Sequence, residues 1–282
     1  MSVKSDIIKK QLNWANTQGL GPDERGYLKS YQENLYQPLN EQSKIAFEHG
    51  SGSELGGPTK GPAKMSALHS SSALAVNFFH AWVGSDLAPL LEIFGLEGEA
   101  SNIQFEGQYP TGLPGNPPNL DVVLELKTGI VVGIESKFTE WLTPKSTSKL
   151  PFKDKYFPTG HGVWKNVGLP ETQCLADAMQ ERSVTFRYLD APQLMKHALG
   201  LATRHSSGFR LLYVYFDASG FEGEAHKTEI AKFSGLLSKE LGFRAYSYQD
   251  LIVALQGRPG VPLQNPWHQS RRTANEILTC GA

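Results

Sequence analysis

Apolar and polar positions along this chain change rhythm near residue 100. Before it, apolar residues recur at helical spacing. Asp6–Trp14 places Ile7, Leu12 and Trp14 on a helix with basic residues between them, and Asp23–Phe47 continues in that style, with Pro38 as the expected break. Ser66–Val83 predicts a buried helix: Leu68, Ser72, Ala75, Phe79 and Trp82 follow three- and four-residue steps. Ser70, Ser71 and Ser72 are small enough there for close packing, and no base or elbow motif makes them nucleophiles. Between these helical stretches lies Gly50–Lys64, the richest Gly/Pro run, read as a linker or long loop.

After residue 100 the pattern is strand-like. Ile103–Tyr109, Leu120–Leu126, Ile130–Lys137 and Phe209–Asp217 are the best strand candidates. Helices are expected over Ala191–Arg204 and Glu224–Leu241, then a short strand Phe243–Tyr246, then a last helix through Leu255 with Ser247 as its N-cap. An early hairpin and a late strand–helix–strand crossover imply a mixed sheet covered by helices on both faces, an α/β architecture. Three regions follow: a helical extension with its Gly/Pro-rich linker over 1–60, an α/β core over 61–258 and a C-terminal tail over 259–282.

The informative stretch runs from Asn119 to Lys137. Read as a hairpin, it turns at Lys127-Thr128-Gly129, with Gly129 in the left-handed position. Leu126 then pairs with Ile130, Glu125 faces Val131, Val123 faces Gly133 and Asp121 faces Glu135. Opposed residues have Cβ atoms roughly 4.5–5.5 Å apart, so two carboxylates stand side by side. Lys137 projects from the same face about 6.5–7 Å further on. Leu120, Val122, Leu124, Leu126, Ile130, Val132 and Ile134 make the other face wholly apolar. Two half-buried like charges repel, and a divalent cation bound to both relieves the repulsion. Oxygen ligands favour Mg2+, with Mn2+ as the alternative, and a metal so held activates water and neutralises a phosphoryl group. The competing reading is a solvated strand face with a cross-strand Glu–Lys pair. The carboxylate–carboxylate register and the apolar character of both strands weigh against it.

Composition narrows the partners. The 282 residues carry 27 basic and 28 acidic side chains, so a uniformly basic nucleic-acid sleeve is excluded and any such partner must meet a local patch. Residues 141–165 offer one: Lys145, Lys149, Lys153, Lys155 and Lys165, interleaved with Trp141, Phe152, Tyr156, Phe157 and Trp164. His161, Arg182, Arg187, His197 and Arg204 are candidates to extend it. A solvated loop pinned by its aromatics is the alternative. Cys174 and Cys280 cannot build a disulfide framework, no apolar run approaches the roughly 18 residues of a membrane span, and the N-terminus lacks an apolar signal core. A cytoplasmic protein without membrane contact is expected. Neither a P-loop nor a dinucleotide fingerprint is completed in the Gly-rich stretch, and no zinc-ligand spacing occurs.

Asp121 with Glu135-Ser136-Lys137, on successive strands after a buried helix, resembles the PD-(D/E)XK nuclease superfamily with its restriction endonuclease-like α/β/α fold. The resemblance covers roughly residues 64–255, with Leu120 where the motif's proline would stand. It implies Mg2+ held by Asp121, Glu135 and the backbone carbonyl of Ser136, with Lys137 acting on water or on transition-state charge. Glu106, mid-strand before the Asp, would be an additional carboxylate, and Gln193 a helix-borne site residue. Glu140 is expected to hold a loop instead of a ligand. The implied activity is restriction-type hydrolysis of double-stranded DNA, with Lys145, Lys149, Lys153 and Lys155 on the nucleic acid. A second copy of the chain and a methyltransferase are the implied protein partners. The alternative is a catalytically inactive nucleic-acid-binding protein that keeps the fold, its charged triad purely structural.

Overall fold

The structure is a computed structural model that describes residues 2–50, 52–56, 61–160 and 162–262. His161, residues 57–60 of the Gly/Pro run, Cys280 and the expected tail from 263 onward lie outside the described residues. Five strands form one sheet in the order β1 (Ala100–Gln108), β2 (Asn119–Leu126), β3 (Val131–Lys137), β4 (Phe209–Tyr215) and β5 (Arg244–Ser247). The first three pair antiparallel, whereas β3–β4 and β4–β5 pair parallel. This is the expected mixed sheet, with β2 and β3 in its interior.

The hairpin turn is as its chemistry dictates. Gly129 sits at φ +84, its N–H donates to the Leu126 carbonyl at 2.9 Å, and Leu126 N–H reaches the Ile130 carbonyl at 2.9 Å. Glu125 pairs with Val131, Val123 with Gly133, and Val122 with Ile134. One expected position departs from the alternation. Leu120 lies not with Val122 and Leu124 but on the Gly133 side, where it and Leu201 fill the space that Gly133 leaves without a side chain.

Helices cover both faces. α3 (Ser71–Phe79), α4 (Ala88–Ile93) and α8 (Tyr248–Leu255) pack on Val122, Leu124, Val132, Ile134, Leu212 and Val214. α5 (Pro170–Gln180), α6 (Ala191–His205) and α7 (Phe221–Leu241) cover Val123, Val131, Leu211 and Tyr213. Their ends follow local chemistry. Ser247 Oγ accepts from Asp250 N–H at 2.9 Å, Asp190 accepts from Gln193 N–H at 3.2 Å, and α7 stops at Gly242. α4 and α5, unmarked by strong periodicity, each carry Pro in the first turn, which suits that position.

The expected Ser66–Val83 helix is broken: α3 is flanked by single 3-10 turns at Lys64–Ser66 and His80–Trp82. The Ser70 hydroxyl accepts from Ala73 N–H at 3.2 Å and so begins a new helix, and Ser72 donates to Glu54 at 2.8 Å. The expected Asp23–Phe47 helix is reduced to α2 (Glu41–His49) behind a 3-10 turn at Tyr31–Asn34. The Asp23 carboxylate takes the N–H groups of Arg25 and Tyr27, closing a turn that competes with helix. α1 (Val3–Thr17) sets Ile7 among Phe138, Trp141, Leu142 and Phe216, just past the ends of β3 and β4.

Two packing features yield predictions. A Cβ on Gly200 of α6 would lie 2.3 Å from the carbonyl oxygen of Tyr109, so the helix seats against backbone where no side chain fits. Gly200→Ala is expected to cost about 1–3 kcal/mol, read as a lower urea midpoint. His226 on α7 is fully buried, stacked on Trp141 at 4.1 Å, with Nε2 2.9 Å from the Tyr213 hydroxyl. Burial pushes its imidazole from 6.5 down to about 3. The unfolded chain therefore takes up a proton near pH 6.5 that the folded chain refuses. The stability from neutral His226 is complete above that pH and is lost at about 1.4 kcal/mol per unit as pH falls toward 3. His226→Gln is expected to flatten the stability profile between pH 7 and 5 by about 2 kcal/mol relative to the native chain.

Candidate active site

The end of β3 carries alternating chemistry on its two sides. Ser136 points its hydroxyl toward α8, where it meets the Tyr248 hydroxyl at 2.7 Å. Glu135 points the other way, toward α6, and is 1% exposed. Its Oε1 contacts Lys137 Nζ, and its Oε2 lies 2.9 Å from Nε2 of His197, itself 1% exposed. Each oxygen of Glu135 is thus engaged, one by Lys137 and the other by His197. Asp121 lies beyond the last regular pair of the β2–β3 ladder. There its carboxylate accepts the Ser136 N–H at 2.7 Å.

The electrostatics follow from this burial. Burial, then the neighbouring Glu135 charge, pushes the Asp121 carboxyl well above the usual carboxylate range, with Lys137 and the Ser136 N–H opposing. Burial pushes Glu135 the same way, but Lys137 and His197 outweigh it and bring its carboxyl down to about 2. Burial disfavours the Lys137 ammonium too, yet Glu135 and Asp121 hold it above its ordinary value. The Lys137 side chain is 16% exposed, against 1% for Glu135. Tyr213 pairs with Glu135 across the parallel ladder and extends the same face toward His226.

Glu106 sits at φ +53 on β1, a left-handed conformation that is uncommon for a non-glycine residue. Its carboxylate accepts from Asn119 Nδ2 at 2.5 Å, and burial, against that hydrogen bond, raises it to about 7. It adds to the negative field on Asp121 without touching it. Gln193 occupies the first turn of α6, where its N–H donates to Asp190, and no hydrogen bond or ion pair joins it to the triad among the described residues. His197, one turn later on the same helix, meets Glu135. The signal was present in the sequence: His197 lies inside the apolar stripe of Leu194, Ala198 and Leu201, where a surface base has no place. It is therefore not part of the exposed basic patch. Glu140 takes the Phe138 N–H at 2.9 Å and holds the loop as expected.

The basic loop is anchored by its aromatics. Trp164 is fully buried against Phe152 and Tyr156, and Trp141 lies on His226. Lys149 and Lys153 are exposed, whereas Lys145 pairs with Asp190 and Lys155 donates to the Pro114 carbonyl. Arg182 is tied to the Ser148 carbonyl at 3.1 Å.

No group of three or more His, Cys, Asp or Glu side chains arranged for a metal stands among the described residues. Mg2+, however, keeps most of its waters and takes one or two carboxylates together with substrate oxygens. Asp121 and Glu135 supply that set. The Asp121 carboxyl, raised by burial and by the neighbouring Glu135 charge, marks where a hard cation would offset negative potential.

A mixed sheet between helical layers, with Asp on one central strand and Glu-x-Lys on the next, defines a restriction endonuclease-like protein. Residues 6–270 match the family described as restriction endonuclease associating with ARP, and the chain belongs to that family. No curated protein and no solved structure matches the chain. No helix among the described residues is long and apolar enough to cross a membrane.

If the carboxylates accept a cation, Mg2+ at ten times its Kd is expected to stabilise the fold by about 1.4 kcal/mol. A thermal scan checks this: the upward shift should vanish with EDTA and in Glu135→Gln. An equal shift in that variant would place the ion elsewhere.

Proposed function

We propose that the protein is a metal-dependent nuclease that hydrolyses DNA phosphodiester bonds, a restriction-type endonuclease acting on duplex DNA in the cytoplasm. The observation that carries this reading is the convergence of Asp121, Glu135 and Lys137 at the junction of β2 and β3, inside a chain of a restriction endonuclease family. The family's described association with ARP supports a protein partner as well.

In this reading Asp121 and Glu135 bind Mg2+, joined by the Ser136 carbonyl, and Mn2+ can replace it. The ion, when bound, lowers the pKa of water and neutralises phosphate charge. His197 holds one oxygen of Glu135 and so orients the carboxylate. Lys137, fixed by Glu135, positions the attacking water or stabilises charge on the phosphoryl oxygens. Glu106 acts through its field on Asp121, and Gln193, in the first turn of α6, is the candidate helix-borne site residue. Lys149 and Lys153 face solvent in the loop that follows the site and suit phosphate contact, with Lys145 and Lys155 beside them.

Plasmid nicking tests the reading. Cleavage should require Mg2+ or Mn2+, stop with EDTA, and fall by about 100-fold or more in Glu135→Ala and Lys137→Ala. DNA binding without cleavage under any metal would identify a non-catalytic binding protein instead.

A further inference from the structure

The loop after β3 and the middle of α6 bring two ammonium groups to one buried aromatic ring. Lys155 Nζ lies 5.3 Å from the centroid of Tyr156. Lys196 Nζ lies 5.6 Å from the same centroid and 5.6 Å from that of Phe152. Both rings are buried and pack on Trp164, whose indole N–H donates to the Met195 carbonyl at 2.9 Å, one residue before Lys196. The two lysine stems are thereby held against a rigid surface. Lys155 is tied in addition to Pro114 of the β1–β2 connection, which leads into Asp121. Lys196 immediately precedes His197, the residue on Glu135.

The charges here do not cancel locally. Burial lowers the Lys196 ammonium below its ordinary value, and Lys145, Lys153 and Lys155 push it the same way, with Asp190 opposing. The Asp190 carboxylate is already engaged, pairing with Lys145 and capping Gln193 N–H. A partly buried cation surrounded by like charges and fixed by aromatics is suited to an anion delivered from outside.

We propose that Lys155 and Lys196, held against Tyr156, form a binding subsite for a backbone phosphate of a DNA strand beside the catalytic centre. The subsite rests on the nucleic-acid reading above but not on cleavage. A phosphate contact carries no sequence information, so the contribution of both lysines is independent of sequence.

The test is fluorescence polarisation with a labelled DNA duplex in EDTA at several salt concentrations. Lys155→Ala and Lys196→Ala are each expected to weaken binding about fivefold to tenfold and to lower the salt slope by about one, equally for unrelated sequences. Lys196→Arg should retain affinity, and Lys239→Ala, on the exposed side of α7, should leave it unchanged. Wild-type affinity and slope in both alanine variants, or no duplex binding by the native chain, would overturn the subsite. So would a Lys196→Arg loss equal to that of Lys196→Ala, which would mark a packing role. Inorganic phosphate should displace the duplex no more than chloride of matched ionic strength. Stronger displacement would indicate a free-phosphate pocket and overturn the strand assignment. Lysine-dependent binding without Mg2+-dependent cleavage keeps the subsite and removes the nuclease reading. Cleavage with unaltered binding in both variants does the reverse.

Discussion

One buried carboxylate and one half-buried carboxylate at the end of the central hairpin, with one ammonium beside them, are the constraint around which the rest of this structure is arranged. Removing Asp121 and Glu135 from water is costly, and placing them together adds repulsion. Lys137 and His197 offset part of that cost at Glu135. At Asp121 the Ser136 N–H does so less completely, and the carboxyl is held well above its usual range. A core built for stability alone would place apolar residues at these interior positions.

That constraint explains why α6 matters more than its length suggests. It lies close enough to the backbone near the end of β1 that Gly200 meets the Tyr109 carbonyl. The same seating aligns His197 with Glu135 and turns Lys196 toward Phe152 and Tyr156. One helix thus orients a buried carboxylate and displays a cation a single residue apart. The N-terminal segment closes the arrangement from the other side. Ile7 packs against Phe138 and Trp141 just past β3, and Glu54 is held by Ser72 and lies within the field of Lys137.

Local patterns were legible wherever a single rule dominated. Apolar runs marked all five strands, most clearly the three inside the sheet, whose two faces are both covered. The Lys127-Thr128-Gly129 turn set the register through to Val122 and Ile134. Ser247 was a readable cap because its hydroxyl has one obvious use ahead of an apolar run. Helical readings failed where polar side chains compete for backbone groups. Asp23 closes a turn, and Ser70 starts a helix within what reads as a longer one.

The sheet and its hairpin register through Val122 and Ile134 were readable from the chain alone, because each depends on neighbouring residues or on a two-residue period. Long-range packing set the rest: His197, instead of Gln193, reaches Glu135, Leu120 crosses to the Gly133 side, and Lys145 pairs with Asp190. Those outcomes depend on how closely α6 and the long loop pack onto the sheet. That distance is set by volumes such as the absent side chains of Gly133 and Gly200, contributed by residues far apart in the chain.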